Sequence, residues 1–111
     1  MSRTEAATVA TIFAALGDPT RAHIVGRLAR EGRLTLTDLA RDAPISRQAM
    51  SRHVGVLNDA GIVAAERQGR EVRLSVRPEA LAPVGQWLAE VSRAWDDALS
   101  RLAVHLEGPD A

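Results

Sequence analysis

"ISRQAMSRHVGVLNDAGIVAAERQGREVRLSV", residues 45–76, changes its period halfway, and that change decides the fold. Met50, Val54 and Leu57 recur at the spacing of one helical face. Past Ile62 the period falls to two: Val72, Leu74 and Val76 alternate with Glu71, Arg73 and Ser75, and Gln68-Gly69 sits between two such runs. The pattern predicts a helix from Ser46 to about Asp59 or Ala60, a turn at Gly61, and a β-hairpin over residues 62–76 with a tight, glycine-bearing turn.

The helical half carries two kinds of side chain. Its apolar row must face a core. On the other sides Arg47, Ser51 and Gly55 form one row, and Gln48 and Arg52 the next. These residue types read base edges in a major groove: arginine bidentate to guanine, glutamine to adenine, serine to either. Gly55 projects no side chain at the middle of that face, so nothing there obstructs close approach. A polar helix face is ordinarily just solvated. Here it precedes a hairpin whose tip reads Arg67, Gln68, Gly69, Arg70, and arginines on a narrow tip suit phosphates or a minor groove. The residues expected at DNA are Ser46, Arg47, Gln48, Ser51, Arg52, His53, Arg67, Arg70 and Arg73. Ser46 also suits an N-cap, with Ile45 able to staple onto Met50. His53 flanks the core row, which fits a supporting hydrogen bond to backbone or phosphate better than catalysis or metal binding.

Upstream, "TLTDLARDA" (35–43) reads as a short helix burying Leu36, Leu39 and Ala40, capped by Thr35 or Thr37 and ended by Pro44. It completes a helix-turn-helix over residues 35–60. Before it, "GDPT" starts a helix that buries Ile24, Val25 and Leu28, with Asp18 as cap, Pro19 at the first position and Gly32 as the stop. A first helix spans residues 4–16, with Val9, Phe13 and Leu16 on one face and Ile12 beside them. Pro78 and Pro83 mark the approach to a last helix, residues 82–106, whose apolar residues fall at 84, 88, 91, 95, 98, 102 and 106. A two-stranded hairpin does not stand alone. Packed on three helices it becomes a wing, so the order of elements predicts a mainly α winged helix-turn-helix in a single domain over residues 1–111.

The stripe of the last helix is close to a heptad seam. A helix of about 25 residues spans roughly 37 Å, more than so small a body needs. A homodimer through the first and last helices is expected, with Val9, Phe13, Val84, Leu88, Val91, Trp95 and Leu102 at the interface. Trp87 lies off the seam, at the interface edge or lining a small pocket.

Composition narrows the function further. The 111 residues contain no cysteine, which excludes disulfides, thiolate metal sites and thiol redox chemistry. Charge is balanced, 14 arginines against 14 acids with no lysine, but unevenly spread. Residues 41–77 hold seven arginines against four acids, so +3; residues 79–111 hold two against six, so −4. A basic middle can steer a polyanion to one face. No apolar run approaches the roughly 18 residues of a membrane span. The N-terminal stretch, with one arginine and interleaved polar residues, is a poor signal peptide, so a cytoplasmic protein is expected. No motif places Ser, His and an acid as a triad, and no glycine-rich phosphate loop occurs, so neither catalytic residues nor a cofactor are expected.

Residues 16–76 resemble the ArsR/SmtB family of bacterial winged-helix repressors. The matching stretches are "ALGDPTRAHIVGRLA" (15–29), "LTDLARDAPISRQAMSRHVGVLNDAGIV" (36–63) and "REVRLSV" (70–76). The resemblance implies a homodimeric repressor on a palindromic operator in double-stranded DNA, released by a signal. Metal sensors of the family carry Cys-x-Cys early in the helix before the reading helix; Thr35 and Thr37 stand there instead, and hydroxyls do not replace thiolates for soft metals. A second family site uses Asp, His and Glu of the last helices. Asp96, Asp97, His105 and Glu107 do not reproduce its spacing, so no metal ligands are assigned. Two alternatives stay open at this point: a metal-responsive repressor using the last helix, and a winged-helix module that binds protein. An unnamed small-molecule effector would complete the set of partners.

Overall fold

The computed structural model describes residues 2–107. Along the chain these form α1 (Arg3–Leu16), α2 (Pro19–Glu31), β1 (Leu34–Thr35), α3 (Leu36–Arg41), α4 (Arg47–Asp59), β2 (Val63–Gln68), β3 (Glu71–Val76) and α5 (Pro78–Glu107).

Each of the first four helices starts where a short polar side chain can accept an orphan backbone N–H. The Ser2 hydroxyl accepts from Glu5 and the Asp18 carboxylate from Arg21, both at 3.1 Å. Thr35 and Asp38 form a reciprocal box at 3.0 Å in each direction. The Ser46 hydroxyl accepts from Ala49 at 3.1 Å. Gly32 ends α2 with φ 84°, a backbone conformation that a Cβ would strain. Thr35, not Thr37, is thus the cap of α3.

The core lies where α2, α4 and the sheet meet. Ile24, Leu57, Ile62, Val63 and Leu74 are its most deeply buried side chains. Met50 and Val54 join Leu57 on the inner face of α4 as the spacing requires, and Ile45 is partly buried against the same cluster.

The wing is larger than expected. The sheet has three strands in the order β1-β3-β2, all antiparallel neighbours, with Leu34 opposite Leu74 and Thr35 opposite Arg73. Two residues are too few to display a period, so β1 carries no sequence signal of its own. It forms because Leu34 packs on the core and Thr35 must stand at the cap of α3. The hairpin turn also shifts by one residue. Gln68 pairs with Glu71, leaving Gly69 and Arg70 as the loop. Gly69 has φ 63° at the first loop position, as a type II′ turn demands.

The last helix departs most. It begins at Pro78 rather than residue 82 and carries Pro83 inside its second turn. There the proline leaves only the Glu79 carbonyl without its helical donor, close to a terminus where such loss is cheap. Thirty residues make about 45 Å of helix. The chain measures 71 × 30 × 21 Å with a radius of gyration of 19.2 Å. A compact chain of this length has about 13 Å. The excess is α5, whose start lies on α1 and whose remainder leaves the body.

The heptad stripe accordingly divides. Val9 and Val84, expected between subunits, are buried within this chain, because the first turns of α5 lie across α1. Phe13 at 40 % exposure, Leu88, Trp95 and Leu102 stay open, and Val91 is half-buried. Ile12 and Ala15, rather than Phe13 and Leu16, are the other buried positions of α1.

Candidate nucleic-acid interface

Filling the inner face of α4 fixes what its outer face shows. Arg47, Gln48, Ser51 and Arg52 are all exposed. A Cβ built on Gly55 would meet nothing within 4 Å, so the middle of this face is open. Ser46 is exposed as well, but its oxygen is already engaged in capping, which leaves only its hydroxyl proton to give. Sequence reasoning passed over Val56, which extends the Gln48–Arg52 row by one turn and is exposed despite being apolar. Such a side chain suits a thymine methyl.

The wing follows directly, with β2 packed on α4. Arg67 and Arg70 are exposed at or beside the tip, and Arg67 Nε donates weakly to the Gly69 carbonyl at 3.5 Å. Arg73 differs. Glu66 stands opposite it in register and Glu71 Oε2 lies 3.9 Å from its Nε, so part of its charge is already answered. It also borders Thr35 and Asp38 rather than the tip.

His53 faces inward, its side chain 23 % exposed. Its Nδ1 is 3.2 Å from Arg21 Nη1 and 3.7 Å from Asp18 Oδ2. Arg21 in turn donates from Nε to the Ala15 carbonyl at 2.6 Å. The Arg21 backbone N–H on its carboxylate holds Asp18 below the usual carboxylate range. Sequence reasoning missed Arg21 altogether; the only hint was its place in "DPTR" (18–21). A second link, Arg27 to Glu31 at 2.7 Å and to Asp42 at 3.3 Å, ties α2 to the end of α3.

Near α1 and α5, Trp87 packs edge-on against Phe13, with ring centroids 5.4 Å apart at 72°. It also borders a cavity of about 130 Å³ with Glu5, Val9 and Pro83, the small pocket that was one of its two expected surroundings. Among the described residues no three His, Cys, Asp or Glu side chains gather where they could hold a metal ion. The Thr35 hydroxyl accepts from the Asp38 N–H.

Comparison with known proteins agrees with this geometry. The profile of a helix-turn-helix domain matches residues 16–65. An HTH-type transcriptional regulator of Mycobacterium tuberculosis is 39 % identical over 86 % of this chain and 88 % of its own length. An arsenic resistance transcriptional regulator of Pseudomonas putida is 34 % identical over 85 % of this chain and 70 % of its own. Among solved structures, an ArsR-like transcriptional regulator from Rhodococcus sp. RHA1 superimposes with a TM-score of 0.70 at 33 % identity, covering 86 % of this chain and 90 % of that one.

Proposed function

Because the chain belongs to the ArsR family of winged helix-turn-helix regulators, we propose that it is a sequence-specific repressor that binds a palindromic operator as a homodimer and does not take metal as its signal. The family's members are DNA-binding transcription regulators, not enzymes. The observation that carries the finer reading is the outer face of α4: exposed Arg47, Gln48, Ser51 and Arg52 around open space at Gly55, on a helix whose other face is filled.

Each group has a role in this reading. Arg52 and Gln48 reach base edges, Arg47, Ser46 and Ser51 share contacts between bases and backbone, and Val56 meets a methyl group. Arg67 and Arg70 take phosphates or the minor groove beside the wing, with Arg73 the weakest contributor because acids flank it. His53 acts from behind. Residues 1–111 work as one domain, with residues 35–60 reading and residues 62–76 forming the wing. The open part of α5, with Phe13 of α1, pairs with the same surface of a second copy. Two α4 helices then meet major grooves about 34 Å apart, one turn of duplex. A dimer seated on a promoter excludes polymerase from it. Absence of cysteine and use of Thr35 as a cap favour a signal other than a soft metal, such as a small molecule. Among the described residues no helix is long and apolar enough to cross a membrane, which suits a protein working on cytoplasmic DNA.

The test is binding to duplex from upstream of its own gene across a salt series. Arg52→Ala should weaken binding by about 1–3 kcal/mol and relax sequence preference. Arg70→Ala should weaken all sequences alike and flatten the salt slope. Unchanged binding in both variants contradicts the assignment.

A further inference from the structure

Arg21 joins three helices through one side chain. Its guanidinium donates from Nε to the Ala15 carbonyl in the last turn of α1, and its Nη1 faces His53 Nδ1 of α4, while its own backbone N–H rests on the cap of α2. Arginine has five donors and no acceptor. For this contact to be a hydrogen bond the atom facing Nη1 must accept, which requires a neutral His53 ring with its proton on Nε2.

We propose that Arg21 is a positioning residue for DNA reading: through neutral His53 it sets α4 against the end of α1, and proton uptake by His53 frees the reading helix. The role rests on the DNA-binding function above. His53 precedes Val54 of the core row and follows Arg52 of the reading face, so a shift at its ring moves both. A protonated Nδ1 can no longer accept from Arg21. It would set two cations 3.2 Å apart, with the Asp18 carboxylate at 3.7 Å as the alternative partner, and the ring would turn from one to the other. Two charged groups of α2 face His53, Arg21 and Asp18. The last turn of α1 offers no charged side chain, only the Ala15 carbonyl that Arg21 already uses. Among the described residues no carboxylate of α3, α4 or β2 lies within 4.0 Å of the ring nitrogens. Arginine is needed because its rigid fork serves Ala15 and His53 together, which a single ammonium does not.

The sign of the effect separates this role from plain charge. Protonating an exposed histidine adds a cation and strengthens binding to a polyanion. Releasing α4 does the reverse. Full-length wild type, Arg21→Lys, His53→Asn and His53→Gln are titrated with duplex from upstream of the gene at constant salt, at about pH 8 and about pH 5.5, either side of ordinary histidine titration. In asparagine the carboxamide oxygen takes the place of Nδ1 without titrating; in glutamine it reaches toward Nε2. Wild type should lose about fivefold in affinity on acidification, the worth of one hydrogen bond. His53→Asn should lose this response and bind equally at both pH values, whereas His53→Gln and Arg21→Lys should bind weakly at both. Nitrogen-15 spectra of the free protein should show His53 Nδ1 unprotonated at the higher pH in wild type and mixed tautomers in Arg21→Lys. Should Arg21→Lys melt early, the two His53 variants decide.

Wild-type binding that is unchanged or tighter in acid overturns the proposal. So does a full pH response in His53→Asn, which would place it on His23 or His105, or a protonated Nδ1 at the higher pH. Failure of wild type to bind the duplex at either pH overturns the DNA-binding function and this role with it. Normal binding with any of the other contrary results overturns the role alone.

Discussion

α4 and α5 are both amphipathic helices, and they resolve their apolar faces in opposite ways. The 13 residues of α4 bury Met50, Val54 and Leu57 inside their own chain, Leu57 completely, which leaves the polar face to solvent. The 30 residues of α5 bury only Val84, while Trp95 at 64 % and Leu102 at 51 % exposure stand in the open with Leu88 and Leu99. A helix whose apolar stripe is satisfied at home can offer its other face to a ligand. One whose stripe is not satisfied must find another surface to cover it. Under the proposed function the two helices divide the work: α4 reads and α5 assembles.

Substitutions that treat the two stripes alike should show the contrast. Leu57→Ala should cost about 2–5 kcal/mol of folding stability, seen as a lower denaturant midpoint, because it opens a cavity in the shared core. Trp95→Ala should leave the unfolding of the isolated chain nearly unchanged yet weaken self-association by about 2–4 kcal/mol, read by sedimentation across a dilution series. If Trp95→Ala instead lowered monomer stability as Leu57→Ala does, α5 would be folded back on its own body and the contrast would collapse.

Gly55→Ala sharpens the reading half. Its φ is not positive and its Cβ would meet only open space, so alanine should stabilise the helix by about 0.5–1 kcal/mol. The same methyl should weaken operator binding, since under the proposed function the duplex comes closest at this open space. A variant more stable and equally tight on DNA would move the interface off this face.

The smallest effect concerns acid. Asp18 is held low by the Arg21 backbone N–H, Asp38 by the Thr35 backbone N–H, and Glu31 by its hydrogen bond from Arg27. Carboxylates lowered on folding contribute stability above their ordinary range, and that contribution fades as pH falls through the ordinary range toward the folded values. Thermal midpoints should therefore hold near neutrality and decline below about pH 4.5. Asn in place of Asp38 should flatten part of that decline.

Much of this was readable from residues alone because it is written locally. Caps at Asp18 and Ser46, the row Met50–Val54–Leu57 and the alternation over 71–76 each need only a few neighbours to declare themselves. The outer face of α4 followed as the complement of its inner row. What escaped depends on distant partners. β1 exists through pairing with β3, some forty residues on. The Arg21–His53 contact joins residues 32 apart. The heptad stripe gave no sign that its first member, Val84, is covered with Val9 by the chain itself, since spacing states which residues share a face but not what lies against it. Pro83 looked like a boundary and proved to be an early interior position.

The account depends most on α5 joining two copies that read DNA together. Light scattering of the purified chain, alone and with a roughly 30-base-pair duplex from upstream of its gene, measures this directly. It should give the mass of two chains in solution and of two chains on one duplex, at concentrations where Trp95→Ala gives one. A single chain in both conditions, with wild-type protein at working concentration, would contradict it.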